Sequence, residues 1–569
     1  MRVAGRGASA LIAGLLVSFS GAAQAAPSSF TKQPMGGLLG ATLAAQIRPA
    51  SRLSLLFGEH VQSPECATPL LLALRAGSSL PRESLLEPPP LAEQQTWLTP
   101  DGRVALHYTL SRASADFVPS TDRNRNGIPD YVEAAGLGLS ESLQAADEVG
   151  YLVRFSPSHR LEVYLANLGG TVRGYMAPLA RPGRGASFIV IDTQIYGDEP
   201  LLKAVAAHQA AHALLAEYDL DEPIWWHEAS AASLELLSQR SLLRYVDSVD
   251  QLLSSPEQGL LQPDGAGATP AGLLWASYLV ESSGGRPDVL RQIWEEEATA
   301  EGDNLLEATD RVLRLQGRSL PSTFADFTTW NLFTGPRDDQ QHYSFGLFLQ
   351  EPHFAASHGS YPAAAISFTQ AVAPLGWSLI RLQPDGNTGG IFLTFEGDVS
   401  GEWQADLLIA TRRNPQSFRR LQLPLDGQGR ASLGVPWGNA AEVMLLVRNV
   451  HTAGPPSTYS YAAQPAPAYP YELGSLSAEP EGEHVRVFWE SESEEGLSGW
   501  DVYRSEGRGE FQKISEVSIP AFGGSDGPVA YQFLDTAVRP GALYQYYVVG
   551  ITNEGLTQRS FVVTTRIPR

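Results

Sequence analysis

Residues 201–235 read LLKAVAAHQAAHALLAEYDLDEPIWWHEASAASLE. The fold and the function expected of the whole chain depend on this stretch. His208 and His212 are four positions apart, so on a helix their side chains share one face, one turn from each other. That spacing suits the first two protein ligands of a single metal ion. Glu228 follows on a second predicted helix and offers an acidic third ligand. The stretch therefore predicts a metal site held by His208, His212 and Glu228.

The residue after the first histidine breaks the usual pattern. In the H-E-x-x-H motif of zinc proteases the glutamate is the general base, and this chain has Gln209 at that position. An amide has no basic site near neutral pH, and the loss of a general acid–base group typically costs about 10²–10⁴-fold in rate. The motif therefore predicts a metal site that survives and a peptidase activity that is absent or strongly impaired.

Composition and charge exclude several classes of protein. The chain has 569 residues, of which 43% are hydrophobic and 18% charged, so several domains with buried cores are expected. A net charge of −22 argues against nucleic acid and anionic membrane surfaces as partners.

Residues 1–25 carry two arginines, a short apolar run and Ala-Gln-Ala, which predicts a cleaved signal peptide and a secreted or periplasmic protein; an uncleaved anchor is the alternative. No later run is long enough to predict membrane insertion.

Residues 26–95 read as an irregular leader or propeptide-like segment, and they contain the single cysteine, Cys66. One cysteine allows no internal disulfide. A thiolate in a leader can occupy an open coordination position on zinc, which makes Cys66 a candidate switch thiol. The alternative interpretation is a small buried apolar side chain.

Residues 122–133 form a second candidate metal site. In a twelve-residue EF-hand loop, positions 1, 3, 5, 7, 9 and 12 supply the oxygen ligands and position 6 is a turn glycine, here Gly127. The ligands predicted in this way are Asp122, Asn124, Asn126, the carbonyl of Ile128, Asp130 and Glu133. The loop predicts a structural Ca²⁺ site, and an Asx-rich turn that caps the next helix is the alternative.

Hydrophobic periodicity divides the rest of the chain. Strands are predicted at 103–110, 161–166 and 187–192, and helices at 132–149, 201–217, 224–238, 271–282, 288–296, 305–315 and 323–332. From residue 361 the pattern changes to period two, which predicts a β-sandwich domain over 361–463. Residues 464–471 form a Pro-rich linker, and residues 472–569 resemble a fibronectin type III module.

The order of short motifs between residues 103 and 335 resembles a family of secreted bacterial zinc metalloproteases of the zincin class. The matching motifs are His107-Tyr108, residues 124–133, Val163-Tyr164, residues 189–192, His208-x-x-x-His212-Ala213, Trp225-Trp226-x-Glu228 and residues 330–335. The resemblance implies an α+β zincin-like metalloprotease domain over 96–340, followed by two all-β sandwich domains.

The resemblance also implies roles for single residues. His208 and His212 match zinc ligands, Glu228 matches the gluzincin ligand position, and Glu235 matches a second acidic position behind the ligands. The chain departs from the family pattern at Gln209 and at Ala229, where the family has glycine. His227 is also unusual at its position, and it is a candidate for a competing metal ligand or for a residue that contacts the ligands from behind.

Three functional hypotheses stay open at this point. The first is an inactive or impaired metalloprotease homologue that keeps its zinc. The second is an active zinc endopeptidase in which another carboxylate, such as Glu235, Glu217 or one from the acidic loop at 219–222, is the base. The third is a metal-free extracellular binding or structural protein. A peptide or protein ligand is the expected partner, and the β-domains suggest contacts at the cell surface.

Overall fold

The computed structural model describes residues 66–69, 71–72, 87–170, 172–178, 187–240, 244–261, 272–299, 305–365, 371–386, 389–411, 418–437, 440–466, 472–494, 496–507, 509–522, 528–553, 555 and 557–568. These residues all belong to one compact unit, Pro49–Arg569. The predicted signal peptide and most of the predicted leader and linker lie outside the described residues. In the part of the chain that the structure describes, no helix is long and apolar enough to cross a membrane.

The first sheet has five strands in the order β1-β2-β3-β5-β4. The strands are β1 (Gln95–Leu98), β2 (Val104–Tyr108), β3 (Leu161–Ala166), β4 (Gly174–Pro178) and β5 (Ser187–Asp192). The central strands β2, β3 and β5 run parallel, and β1 and β4 are antiparallel edges. Strands β2, β4 and β5 are buried at every position, so both faces of this part of the sheet are covered.

Eight α-helices have both ends among the described residues. They are α1 (Asp130–Val149), α2 (Glu199–Leu215), α3 (Ile224–Gln239), α4 (Val246–Ser254), α5 (Leu273–Ser282), α6 (Asp288–Glu297), α7 (Leu305–Leu315) and α8 (Leu320–Trp330). Helices α1 and α2 pack their apolar side chains into one core with the first sheet. Helix α2 begins where the Asp198 side chain accepts a hydrogen bond from the amide of Leu201, as an N-cap residue does.

Four further sheets follow the helices, in the orders β11-β10-β13-β8-β6, β12-β9-β14-β7, β15-β16-β20 and β18-β17-β21-β22, with β19 on β17 and β23 on β21. The strands of the first two sheets are β6 (Ala356–His358), β7 (Ala363–Ala365), β8 (Gly376–Leu382), β9 (Gly390–Gly397), β10 (Trp403–Thr411), β11 (Phe418–Gln422), β12 (Arg430–Pro436), β13 (Ala440–Asn449) and β14 (Tyr459–Ala466). The strands of the other two are β15 (Glu472–Glu481), β16 (His484–Ser493), β17 (Leu497–Glu506), β18 (Gln512–Lys513), β19 (Ile519–Pro520), β20 (Val529–Asp535), β21 (Leu543–Thr552), β22 (Thr557–Arg559) and β23 (Val563–Arg566).

The predicted fold class, an α+β zincin-like metalloprotease domain followed by two all-β sandwich domains, is wrong. The chain is a mixed assembly in which helices and sheets share a core across the predicted boundary after residue 340. Phe324 and Phe327 of α8 pack against Trp377 of β8, with ring centroids 6.3 and 5.6 Å apart. Helix α8 is therefore part of the packing of the next sheet.

A buried ion pair strengthens the same junction. Arg448 of β13 pairs with Asp406 of β10 and donates to the Thr328 hydroxyl and to the carbonyl of Ala325 on α8, at 3.1 Å for the carbonyl. Strand β8 is buried at every position but one, because one face meets the helices and the other meets the next sheet. Period-two patterning assumes one solvated face, and so it could not reveal this arrangement.

Candidate metal centre

Two consecutive helices bring the predicted ligands together. Helix α2 is buried at every position from Ala204 to Leu215 and presents His208 and His212 on one face. The chain then turns at Pro223 into α3, whose first turns place Glu228 opposite the histidines. All three side chains are at most 4% exposed. The helical spacing and the short connection thus produce the convergence that the sequence predicts.

Cys66 joins the same cluster. One ligand atom from each of Cys66, His208, His212 and Glu228 lies within 4.8 Å of the others, so the four residues form a group that could hold a metal ion. The Nε2 atoms of the two histidines are 3.1 Å apart, and Cys66 Sγ is 3.6 Å from His212 Nε2. Glu228 reaches His212 Nε2 at 3.0 Å and His208 Nε2 at 3.5 Å through its two carboxylate oxygens.

These separations fit the edges of a tetrahedron around one small ion. Zn–N bonds of about 2.0–2.1 Å and a Zn–S bond of about 2.3 Å imply a nitrogen–nitrogen edge of about 3.3 Å and a sulfur–nitrogen edge of about 3.6 Å. The observed 3.1 Å between the histidine nitrogens and 3.6 Å between sulfur and nitrogen are close to both values. Two edges of the donor set therefore fit a tetrahedral metal ion, and all four donor atoms lie within 4.8 Å of one another.

The electrostatics of the cluster favour a cation. Burial lowers the pKa of His208, but hydrogen bonds to Cys66, Glu228 and Glu235 outweigh it and raise the pKa above its ordinary value. Burial and the Glu228 carboxylate raise the pKa of the Cys66 thiol, and the two histidines more than offset them and lower it to about 7. A buried group of acceptors that stabilises added positive charge in this way is suited to a divalent ion.

Gln209 faces the cysteine and not an open cavity. Its Nε2 donates to Cys66 Sγ at 3.2 Å, and its Oε1 accepts from the Thr68 hydroxyl at 3.0 Å. Gln209 is only 1% exposed. The position at which the H-E-x-x-H motif has its glutamate is thus occupied by an amide that contacts the predicted leader.

Three residues behind His208 hold it in place. Tyr245 OH lies 3.1 Å from His208 Nδ1 and also donates to Glu235. Glu235 Oε2 is 3.4 Å from the same nitrogen, and Arg244 donates to Glu235 Oε1 at 2.8 Å. Sequence reasoning found Glu235 through the resemblance but missed Tyr245 and Arg244, because no spacing rule links residues of α3 to the segment before α4.

Two other candidates lie away from the ligand atoms. His227 is fully buried, and its ring packs on Trp294 with centroids 4.9 Å apart. It does not belong to the four-residue group. Glu217 has Arg154 and His159 as ionic neighbours, each at 3.9 Å.

The loop at 122–133 keeps its predicted ligands together without a helix cap. Asn124 and Asn126 donate to the two oxygens of Glu133 at 2.9 and 2.6 Å, and the amide of Gly127, which has φ +89°, donates to Asp122 at 2.9 Å. The amide of Arg123 donates to Asp130 at 2.9 Å. Helix α1 begins after Pro129 with no side-chain cap. Asn124 and Asn126 each accept from the backbone amide two residues on, as in the Asx turns of the alternative interpretation.

Comparisons with known proteins do not assign a family. No family model matches the chain, and no curated protein matches it. Among solved structures, an Fn3-like protein from Clostridium thermocellum is 23% identical over 17% of this chain and 90% of its own, with a TM-score of 0.13.

Two enzymes give likenesses of the same order. A pectate lyase from Pectobacterium carotovorum is 20% identical over 17% of this chain and 27% of its own, with a TM-score of 0.13. A β-1,2-glucanase from Parabacteroides distasonis is 14% identical over 37% and 34%, with a TM-score of 0.14. None of these three proteins is named as a zincin or a metalloprotease. Likenesses this low carry no argument about function, which therefore rests on the site itself.

Proposed function

We propose that this chain is an exported zinc-binding protein of metalloprotease type, in which four protein ligands close the metal centre and peptide hydrolysis is lost. The observation that carries the proposal is the convergence of Cys66, His208, His212 and Glu228 beside Gln209. Structural zinc has four protein ligands, whereas catalytic zinc keeps one position for water or substrate. A cysteine in the fourth position therefore favours a structural role.

The donor set favours zinc over other ions. Calcium and magnesium prefer oxygen ligands alone, whereas this cluster offers one sulfur, two imidazole nitrogens and one carboxylate. Mixed sulfur and nitrogen donors in tetrahedral geometry are typical of zinc. Bound there, zinc would supply a cross-link between the segment around Cys66 and helices α2 and α3.

An active peptidase with a substitute base has less support. Glu235 lies on the Nδ1 side of His208 and is already bonded to Tyr245 and Arg244. Glu217 lies next to Arg154 and His159. Neither carboxylate replaces the one that is missing at residue 209, where a general base must reach its proton within about 2.6–3.2 Å.

Metal content and peptide cleavage together test the proposed function. Mass spectrometry of the metal in the purified mature protein is expected to find one zinc per chain. A peptide library is expected to stay uncleaved by the same preparation. Absence of zinc would contradict the proposal, and so would zinc-dependent cleavage that chelation abolishes.

Removal of the Tyr245 hydroxyl is expected to weaken the zinc site without destroying it. Groups that orient a metal-bound histidine through its second nitrogen typically contribute about 10–100-fold to metal affinity. Tyr245→Phe keeps the ring and deletes the contact to His208 Nδ1. Competition with a chromogenic zinc chelator should show a dissociation constant raised by that factor. Tyr218→Phe is the control, because the Tyr218 hydroxyl accepts from the amide of Leu152. An unchanged zinc affinity in Tyr245→Phe would contradict this role.

We also propose that the loop at 122–133 binds structural Ca²⁺. Its support is the full set of oxygen-bearing residues at EF-hand spacing and the proximity of the Asn124 and Asn126 side chains to Glu133, to which they donate through their amide nitrogens. Carboxylate and carbonyl oxygens at this spacing are the ligands that calcium prefers.

Calcium is expected to stabilise the folded chain by an amount that grows with the logarithm of its free concentration above the dissociation constant. At a free concentration about 100 times the dissociation constant, the free energy of unfolding rises by about 2.7 kcal/mol. A calcium-selective chelator should therefore lower the melting temperature, and Glu133→Gln should abolish that response. Glu148→Gln, a change at an exposed position of the same helix, should preserve it. A melting temperature that ignores calcium in the wild type would contradict the site.

The export proposal rests on residues 1–25. Intact-mass measurement of the protein recovered outside the cytoplasm is expected to place the mature N-terminus near Ala26 and to retain Cys66. An N-terminus that keeps the apolar run would favour an anchor.

A further inference from the structure

Residues 66–69 and 71–72 of the predicted leader are built into the core beside the metal centre. Ala67 and Leu71 are 1% and 3% exposed and pack with Tyr175, Phe188 and Val190 on the first sheet. Cys66 pairs in parallel with Gly174 at the edge strand β4, and the amide of Ala67 donates to the carbonyl of Gly174 at 3.1 Å. This segment thus shares the core with the sheet, unlike a tail that rests on the surface.

Gln209 connects this segment to the helix of the two histidines. The Thr68 hydroxyl accepts a hydrogen bond from the amide of Met176 at 2.9 Å. Its own hydrogen is therefore available to donate, and it donates to Gln209 Oε1 at 3.0 Å. This fixes the orientation of the Gln209 amide, whose Nε2 then points to Cys66 Sγ at 3.2 Å. A side chain with one donor and one acceptor satisfies both contacts at once.

A glutamate could not make both contacts. An ionised carboxylate only accepts hydrogen bonds, so it could keep Thr68 but would bring a second negative charge to a sulfur that binds metal as a thiolate. The packing leaves little room for a shift, because a Cβ added at Gly174 would lie 3.3 Å from Gln209 Cγ. Glutamine at residue 209 cannot act as a general base, but its amide can donate to a cysteine that is the fourth metal ligand.

We infer that Gln209 is a positioning residue that holds Cys66 against the metal, and that residues 66–69 and 71–72 are a permanent cap of the centre and not a removable inhibitor. The inference rests on the proposed zinc site and deepens it. Glutamine in place of glutamate at residue 209 therefore supports Cys66 as the fourth ligand. The amide stabilises the closed form of the centre, in addition to ending acid–base catalysis.

The single cysteine makes the test specific, since any thiol signal comes from Cys66 alone. Two readouts are used on the full mature chain: the rate of reaction with dithionitrobenzoate under native conditions, and the near-ultraviolet thiolate-to-metal band after Co²⁺ replaces Zn²⁺. Gln209→Glu is compared with Gln209→Met, which removes the hydrogen bonds without adding charge. Gln428→Glu, at an exposed turn, is the matched control.

The wild type and Gln428→Glu are expected to react slowly and to show the band. Gln209→Glu should react about tenfold faster or more and lose most of the band, because it loses the bond to sulfur and adds repulsion. Gln209→Met should lie between them. Thr68→Val, which removes the donor to Oε1, should raise the rate by a few-fold and keeps the test valid if the Gln209 variants fold poorly.

Full thiol protection and a full cobalt band in Gln209→Glu would overturn the inference, even if its melting temperature fell. If the wild type takes up neither zinc nor cobalt, the proposed function fails instead. The thiol rates of the metal-free proteins would then still decide whether Gln209 holds Cys66, since equal rates in the wild type and Gln209→Glu would overturn that contact.

Discussion

His212→Ala is expected to abolish zinc binding and to lower the free energy of unfolding by about 3–5 kcal/mol, the usual loss when one partner of a buried ionic pair is removed. His212 is fully buried, and its Nε2 lies 3.0 Å from Glu228 and 3.6 Å from Cys66. Without it, a buried carboxylate and a buried thiol lose both their neighbour and the ion. Zinc content by mass spectrometry and chemical denaturation measure the two effects.

A control separates this effect from the loss of any histidine. His159→Ala removes a half-exposed ring, 3.9 Å from Glu217 and distant in sequence from the cluster. It is expected to keep one zinc per chain and to change stability by less than about 1 kcal/mol. The metal-free hypothesis would be supported if neither the wild type nor His212→Ala contained zinc and if the two proteins had the same stability.

Restoring both the base and the open position is expected to create hydrolytic activity towards small substrates. In the double variant Cys66→Ala and Gln209→Glu, a carboxylate at residue 209 can accept a proton from the attacking water, and the place of the cysteine sulfur becomes free. General-base assistance of this kind contributes about 10²–10⁴-fold. Because residues 66–69 and 71–72 still cover the centre in this variant, the substrate is a small activated ester. The double variant should hydrolyse it about 10²–10⁴ times faster than Cys66→Ala alone.

The matched control for that experiment is Cys66→Ala with Gln209→Met, which opens the same position without adding a base. Two outcomes would contradict the account. One is a wild type that already cleaves as fast as the double variant. The other is a double variant that binds a full complement of zinc and still cleaves nothing, because the missing carboxylate would then not be what silences the site.

Local rules predicted three of the four residues that the structure brings together in the cluster. His208 and His212 share a helix face because of their spacing, and Glu228 lies on the next helix after a short turn. The short connection limits the positions that Glu228 can take relative to the two histidines. The helices α2 and α3 are observed at Glu199–Leu215 and Ile224–Gln239, within a few residues of the predicted ranges. Short sequence separation made this part of the structure accessible to pattern reasoning.

Contacts between distant parts of the chain were not accessible in the same way. The sequence offered Cys66 as a candidate switch thiol, but its contact with His212 spans 146 residues and depends on β4, an edge strand that the periodicity did not reveal. The shared core of α8 and β8 is a contact of the same kind, and it overturned the predicted fold class. Hydrophobic periodicity shows which face of a segment is buried, but it does not show which other segment packs against that face.

X-ray absorption at the zinc edge of the purified protein is the most direct test of a closed centre. A closed centre is expected to show four ligands, namely one sulfur at about 2.3 Å and three nitrogen or oxygen atoms at about 2.0–2.2 Å. Cys66→Ala should lose the sulfur contribution and keep the light-atom ligands. A zinc site with no sulfur in the wild type, or a wild type that holds no zinc, would contradict the account.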